Sequence, residues 1–233
     1  LSICARSAPQ NFGLVYPRNS WRVVAKDPDF VKSFERGVRV MKSRDKDDPT
    51  SWSFQANIHG STNGSDPHFD ACQHRNWYFL PWHRMYLFFF EQILSAAAET
   101  RISLPYWNYS YPMSRALPQE FRRPESPLYE ENREGGRNDG QEFGESEVGQ
   151  SVIADTLSVV NFAPTRERQI SFGGGESQNG SLERAPHNAL HNLMGGIMSD
   201  PNTAANDPIF WLHHANIDRI WCDWIELGES RAN

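Results

Sequence analysis

Cysteine is scarce in this chain: Cys4, Cys72 and Cys222 are the only three in 233 residues. They are too few, and too odd in number, for a disulfide framework, which leaves room for one bridge and one specialised thiol. Long apolar runs are missing as well. The greasiest stretch, Met85 to Leu94, is interrupted by Glu91 and Gln92 and falls far short of the ~18 apolar residues of a membrane-spanning helix, which excludes a membrane span. There is no basic excess either: 23 Lys and Arg against 29 Asp and Glu give a formal charge of -6, without the positive patch of a nucleic-acid binder. Small-molecule chemistry is the class that remains. No segment recurs at solenoid period. The chain opens on Leu1 rather than Met, as after removal of a leader or trimming of the sequence, and no signal peptide is there to read; the compartment is therefore open, with export favoured over the alternatives.

With 38% hydrophobic and 12% aromatic residues, the chain has enough material for one well-packed domain. Asp27-Pro28-Asp29 reads as a helix start, followed by Phe30, Val31, Phe34, Val38 and Met41 at helical spacing. Pro81 opens a second helical stretch, "PWHRMYLFFFEQILSAAAET", with no internal Pro or Gly after it. Two more helices are expected over Pro186 to Met194 and Pro208 to Leu227. Residues 117–180 break into prolines, glycines and the acidic run "YEENREGGRNDGQEFGESEVG", which reads as a surface loop. Strand-like runs are few and short, Ile102 to Trp107 and Gln150 to Val160. The architecture expected is mainly α.

Eight histidines fall in two groups, each beside expected helices: His59, His68, His74 and His83, then His187, His191, His213 and His214. His187 and His191 are four apart, so on a helix both project from one face towards one ion. A third imidazole from the neighbouring helix, His213 or His214, completes a three-nitrogen site with an open position. His74 and His83 flank Pro81 and converge only from a loop and a first helical turn, with a third imidazole from His59. Any one of these residues alone reads as an ordinary core or loop histidine; two groups of the same make-up do not. Nitrogen donors without carboxylates argue against magnesium and calcium. Zinc hydrolysis would normally bring a Glu beside the first ligand, where Asn188 stands, so duplicate all-nitrogen sites favour copper.

The blocks "CQHRNWYFLPWHRMYLFFFEQIL", "GSLERAPHNALHN" and "NDPIFWLHHANIDRIW" resemble the type-3 copper family of tyrosinases, catechol oxidases and molluscan hemocyanins. The resemblance runs from Arg18 to Ile225. It implies an antiparallel four-helix bundle enclosing a dinuclear copper site, within a single catalytic core over residues 1–233 that lacks the C-terminal extension many relatives carry. It also implies that His59, His74 and His83 hold one copper ion and His187, His191 and His214 the other. "SFQANIHG" fits the family's first-ligand segment, which selects His59 over His68. Of the doubled pair the family uses the second histidine, and His213 shares a packing stripe with Ile217, Ile220 and Trp224. Asp218, four residues after His214, is a candidate to orient that ring, with an ion pair to Arg219 or Arg22 as the alternative.

The same resemblance implies a thioether between Cys72 and His74, and a water held by Glu183 and Asn188 that takes a proton from phenol. Dioxygen is the implied co-substrate, bound as a bridging peroxide. Monophenols and catechols are the implied substrates, with o-quinones as products. Diphenol oxidation alone and reversible dioxygen carriage are the alternatives. Oligomeric state has no signature in the sequence.

Overall fold

The computed structural model describes residues 17–62 and 66–228. Its helices are α1 (Trp21–Val24), α2 (Pro28–Ser43), α3 (Trp52–His59), α4 (Phe79–Ala97), α5 (Glu145–Val148), α6 (Gln150–Ser158), α7 (Ala189–Met194) and α8 (Pro208–Glu226). The sequence explains where they start. Asp27 caps α2 by accepting from the Asp29 N–H at 3.0 Å, Ser51 caps α3 through the Phe54 N–H at 3.1 Å, and Asp207 caps α8 through the Ile209 N–H at 3.1 Å. Pro28 and Pro208 sit in first turns, where a missing N–H costs nothing. α4 begins at Phe79, two residues before the expected Pro81, because proline is tolerated throughout a first turn.

α2, α4 and α8 form the centre of the main core. α2 buries Val31, Phe34, Val38 and Met41 on one stripe, and α4 buries Tyr86, Leu87, Phe90 and Leu94. The two helices approach closely at Gly37, where a Cβ would meet Leu94 Cδ1 at 2.8 Å. α8 is buried all round from Pro208 to Ile217, and Phe90 of α4 stacks on Trp211 with centroids 3.4 Å apart. A smaller cluster, with Phe79, Phe172, Leu182, Ile217 and Trp224, packs on the other flank of α8. No helix among the described residues is long and apolar enough to cross a membrane.

Two expectations fail. Gln150 to Val160 is not a strand; it forms α6, because Ile153 and Thr156 face the interior at helical spacing and that burial outweighs the β-branched residues around them. Ile102 to Trp107 is extended but joins no sheet, since its donors go elsewhere: Leu104 N–H to Glu91, Tyr106 N–H to Asn19 O and Trp107 N–H to Leu212 O. Among the described residues, β pairing is limited to isolated bridges at Ser20–Tyr106 and Gly175–Gln178.

Residues 117–180 are not a surface loop either. Leu117, Phe121, Leu128, Phe143 and Val148 enter the main core. Arg133, one of only two basic residues in the acidic run, lies buried and grips Asp207 with two bonds of 2.6 and 2.9 Å. Its remaining donors reach the Phe121, Leu128 and Asn138 oxygens. Asp207 therefore caps α8 and also anchors this segment to it. Both partners are almost fully out of water, with side chains 1% and 0% exposed. Removing one partner strands the other charge, so Arg133→Met is expected to lower the unfolding free energy by about 3–5 kcal/mol in urea titration. Lys32→Met, which breaks an exposed pair with Asp29, should change it by less than about 1 kcal/mol.

Candidate metal centre

α3 ends on His59, the second turn of α4 opens with His83, and the loop between them carries His74. Their ring centroids form a nearly equilateral triangle: 5.4 Å for His59–His74, 5.5 Å for His59–His83 and 5.2 Å for His74–His83. The second group comes from the segment around α7 and from α8. Glu183–Asn188 is a kinked helical stretch, extended at Ala185, that runs into α7. It places His187 4.6 Å from His191 and 4.9 Å from His214, centroid to centroid. In each group the candidate ligand atoms lie within 4.8 Å of one another. His83 stacks on His214 at 4.4 Å, nearly parallel at 12°, and joins the two groups.

The polar partners fix which nitrogen of each ring is free. His59 Nδ1–H donates to Pro201 O at 3.0 Å, His83 Nδ1–H to Phe79 O at 2.8 Å and His191 Nδ1–H to Met198 O at 2.7 Å. A carbonyl only accepts, so each Nδ1 carries the proton and each Nε2 keeps a lone pair. The contact at His59 depends on Gly60, where a Cβ would stand 2.3 Å from Pro201 O. His187 Nδ1 meets Asn188 Oδ1 at 2.8 Å. Nε2 of His59, His83 and His187 is buried without a hydrogen-bond partner, and the His191 and His214 Nε2 atoms face each other at 3.4 Å. Burial, then neighbouring imidazoles, holds His59, His83, His187 and His214 well below the ordinary histidine range; His74 and His191 are lowered to about 4, chiefly by burial. All six rings are therefore neutral at physiological pH. Converging neutral nitrogens that lack partners, with no carboxylate in either group, are the donor set of two soft-to-borderline cations, and copper fits them.

The seventh ring, His213, also falls in the second group. It stacks on His187 at 5.3 Å and lies 5.6 Å from Tyr109, on the side away from the first triad, whereas His214 faces that triad. His68 takes no part; it is exposed and bound to Asp66 at 2.7 Å. The expected contact between Asp218 and His214 is not made. Asp218 is held by Arg18 at 2.8 Å and Arg84 at 2.5 Å, and His214 Nδ1 has no partner. Neither Arg22 nor Arg219 is its ion-pair partner; Arg219 binds Asp223 instead. Two guanidiniums, from Arg18 and Arg84, outcompete the imidazole one turn away for the Asp218 carboxylate.

Glu183 is buried beside the rings in a cavity of about 310 Å³ that His59, His74, His187 and Asn188 also line. Its Oε1 accepts the Arg75 N–H at 2.8 Å, and its Oε2 is without a partner. Burial pushes this carboxyl up to about 7 against the pull of the Arg75 and Gly180 amides. Cys72 is a free, half-buried thiol pushed up to about 11 by burial and the Asp70 carboxylate. Cys222 is disulfide-bonded, and Cys4 lies outside the described residues. Sequence reasoning missed the carbonyls of Phe79, Met198 and Pro201 and the amide of Arg75, since main-chain groups leave no mark on residue spacing.

A helical core that brings two imidazole triads together, with the outer nitrogens of His59, His83, His187 and His191 paired and the inner nitrogens of His59, His83 and His187 bare, defines a dinuclear copper protein. The family model described as the common central domain of tyrosinase matches residues 49–169 and 150–227, and the chain belongs to the tyrosinase family. A tyrosinase of Hahella sp. (strain CCB-MM4) is 37% identical over 87% of this chain and 52% of its own length. Chloroplastic polyphenol oxidase II of Ipomoea batatas is 29% identical over 87% of this chain and 40% of its own. The crystal structure of Grenache (Vitis vinifera) polyphenol oxidase superposes with a TM-score of 0.73 at 26% identity, covering 93% of this chain and 72% of that one. The chain thus spans about half, or less, of the curated relatives it matches.

His214→Ala is expected to reduce bound copper from about two ions per chain to about one, whereas His213→Ala retains both, measured by elemental analysis of copper-loaded protein. The reverse pattern would make His213 the ligand.

Proposed function

We propose that the chain is the catalytic core of a phenol oxidase that hydroxylates monophenols at the ortho position and oxidises o-diphenols to o-quinones. The observation that carries the monophenol step is Glu183, a buried carboxyl with one bare oxygen in the cavity beside both histidine groups. When bound, copper would supply electrons for the reduction of dioxygen, and His59, His74 and His83 would hold one ion and His187, His191 and His214 the other. The protein's own residues do the rest. A phenol has a pKa near 10, so at neutral pH it enters protonated and needs a base. Glu183 Oε2 takes the proton, directly or through a water shared with the Asn188 amide, whose oxygen is already committed to His187. The Arg75 amide keeps the carboxylate aimed inward while the low-dielectric wall keeps its basicity high.

Cys72 stands two residues before His74 as a neutral thiol, and we assign it to a thioether with that imidazole. Forming the bond removes the S–H and a ring C–H hydrogen, with dioxygen as the two-electron oxidant. The tether would fix the one ligand that comes from a loop.

Glu183→Gln should lower kcat/KM for a monophenol by about a hundredfold and for a catechol by less than about fivefold; equal losses would remove the base assignment. In the unsubstituted enzyme, monophenol turnover should rise with pH as Glu183 ionises. The midpoint lies at or below about 7, because copper charge pulls it down, and the Gln variant should lack that limb. Copper-loaded, oxygenated protein should be lighter by two hydrogens in intact mass and resist alkylation at Cys72; full alkylation would refute the crosslink.

A further inference from the structure

A second cavity, of about 620 Å³, adjoins the first, and the two share His74 and Arg75. Arg75 forms the partition. Its backbone is left-handed (φ 58°), so its amide turns inward to Glu183 while its guanidinium turns outward to donate to Ser177 O at 3.2 Å. Gln178 N–H donates to Arg75 O at 2.9 Å, which fastens the Gly175–Gln178 turn against the partition. Glu176 and Ser177 of that turn line the outer cavity from one side.

Trp77 and Tyr78 line it from the other. They are 41% and 59% exposed, with rings 6.3 Å apart and inclined at 69°, although the next residue, Phe79, is fully buried. Their backbone is held at the start of α4 by the Tyr78 N–H, which donates to Asn76 Oδ1 at 2.8 Å. The cavity therefore offers an exposed indole on a held backbone, ringed by amide, carboxylate and guanidinium groups. A flat hydroxylated ring satisfies both: it stacks on the indole and hydrogen-bonds through its edge. An extended peptide would need bare main-chain donors and acceptors along the rim, and those of Arg75 and Gln178 are already paired.

We infer that the outer cavity is a subsite for the distal ring of two-ring phenols, with Trp77 as its stacking platform and Arg75 as the divider between the reacting ring and the distal one. The inference rests on the phenol-oxidase reading above. Its test uses the copper-loaded protein and compares kcat/KM for catechol with that for a catechol joined through a short chain to a second hydroxylated ring. The ratio of the two-ring to the one-ring value should fall about tenfold in Trp77→Ala, the loss of roughly one aromatic pair, and recover in Trp77→Phe. A ratio unmoved by Trp77→Ala overturns the subsite and leaves phenol oxidation standing. An equal or greater effect on a catechol glycoside assigns the cavity to sugars and also overturns it. Turnover of neither phenol by the unsubstituted protein removes the phenol-oxidase reading, and the subsite with it.

Discussion

His83 and His214 stack face to face between the two longest helices, α4 and α8, and the rest of the molecule serves that contact. Each helix must be buried on the same side that carries a polar ring, so the aromatic packing of Phe90 on Trp211 lies on the same interface. A shift of one helix by a fraction of a turn would separate the two triads and break the apolar seam together. The position of α8 is fixed further by Arg133 and Asp207 at its first turn and by Arg18 and Arg84 on Asp218 in its middle. Stability and metal geometry are thus properties of one interface.

Buried imidazoles are costly to leave unsatisfied, and the protein meets that cost on one side only. The outer nitrogens of His59, His83 and His191 are paired with main-chain oxygens, which leaves their inner nitrogens to a metal. Burial that keeps the histidines neutral also raises Glu183. One low-dielectric cavity therefore prepares ligands and base together, pushing their pKa values in opposite directions because one group is charged when protonated and the other when it is not.

α2 and α8 were legible because their starts carry Asp27-Pro28 and Asp207-Pro208, and α4 because no Pro or Gly follows Pro81; α3, which carries His59, was not anticipated although Ser51 caps it. The pair His187 and His191 was legible from its i, i+4 spacing, although the segment around it is kinked at Ala185 rather than a regular helix. Less was visible where long-range packing decides. The strand propensity of α6 is overridden by the burial of Ile153 and Thr156, and the acidic run looked solvated because its one critical residue, Arg133, meets a partner 74 residues away. Asp218 has the right spacing for His214 but answers to two arginines from other elements.

The second-layer acceptors are unequal in one respect. Those of His59, His83 and His191 are carbonyls of the chain itself, which no point mutation deletes, while His187 leans on the Asn188 side chain. The His83 and His191 tautomers are consequently insulated from loss of the acceptor, and the His59 tautomer is too as long as Gly60 keeps the approach to Pro201 open. The fourth is exposed to that loss, and codon 188 becomes the place where selection can retune the electron-donating strength of one ligand without rebuilding the fold.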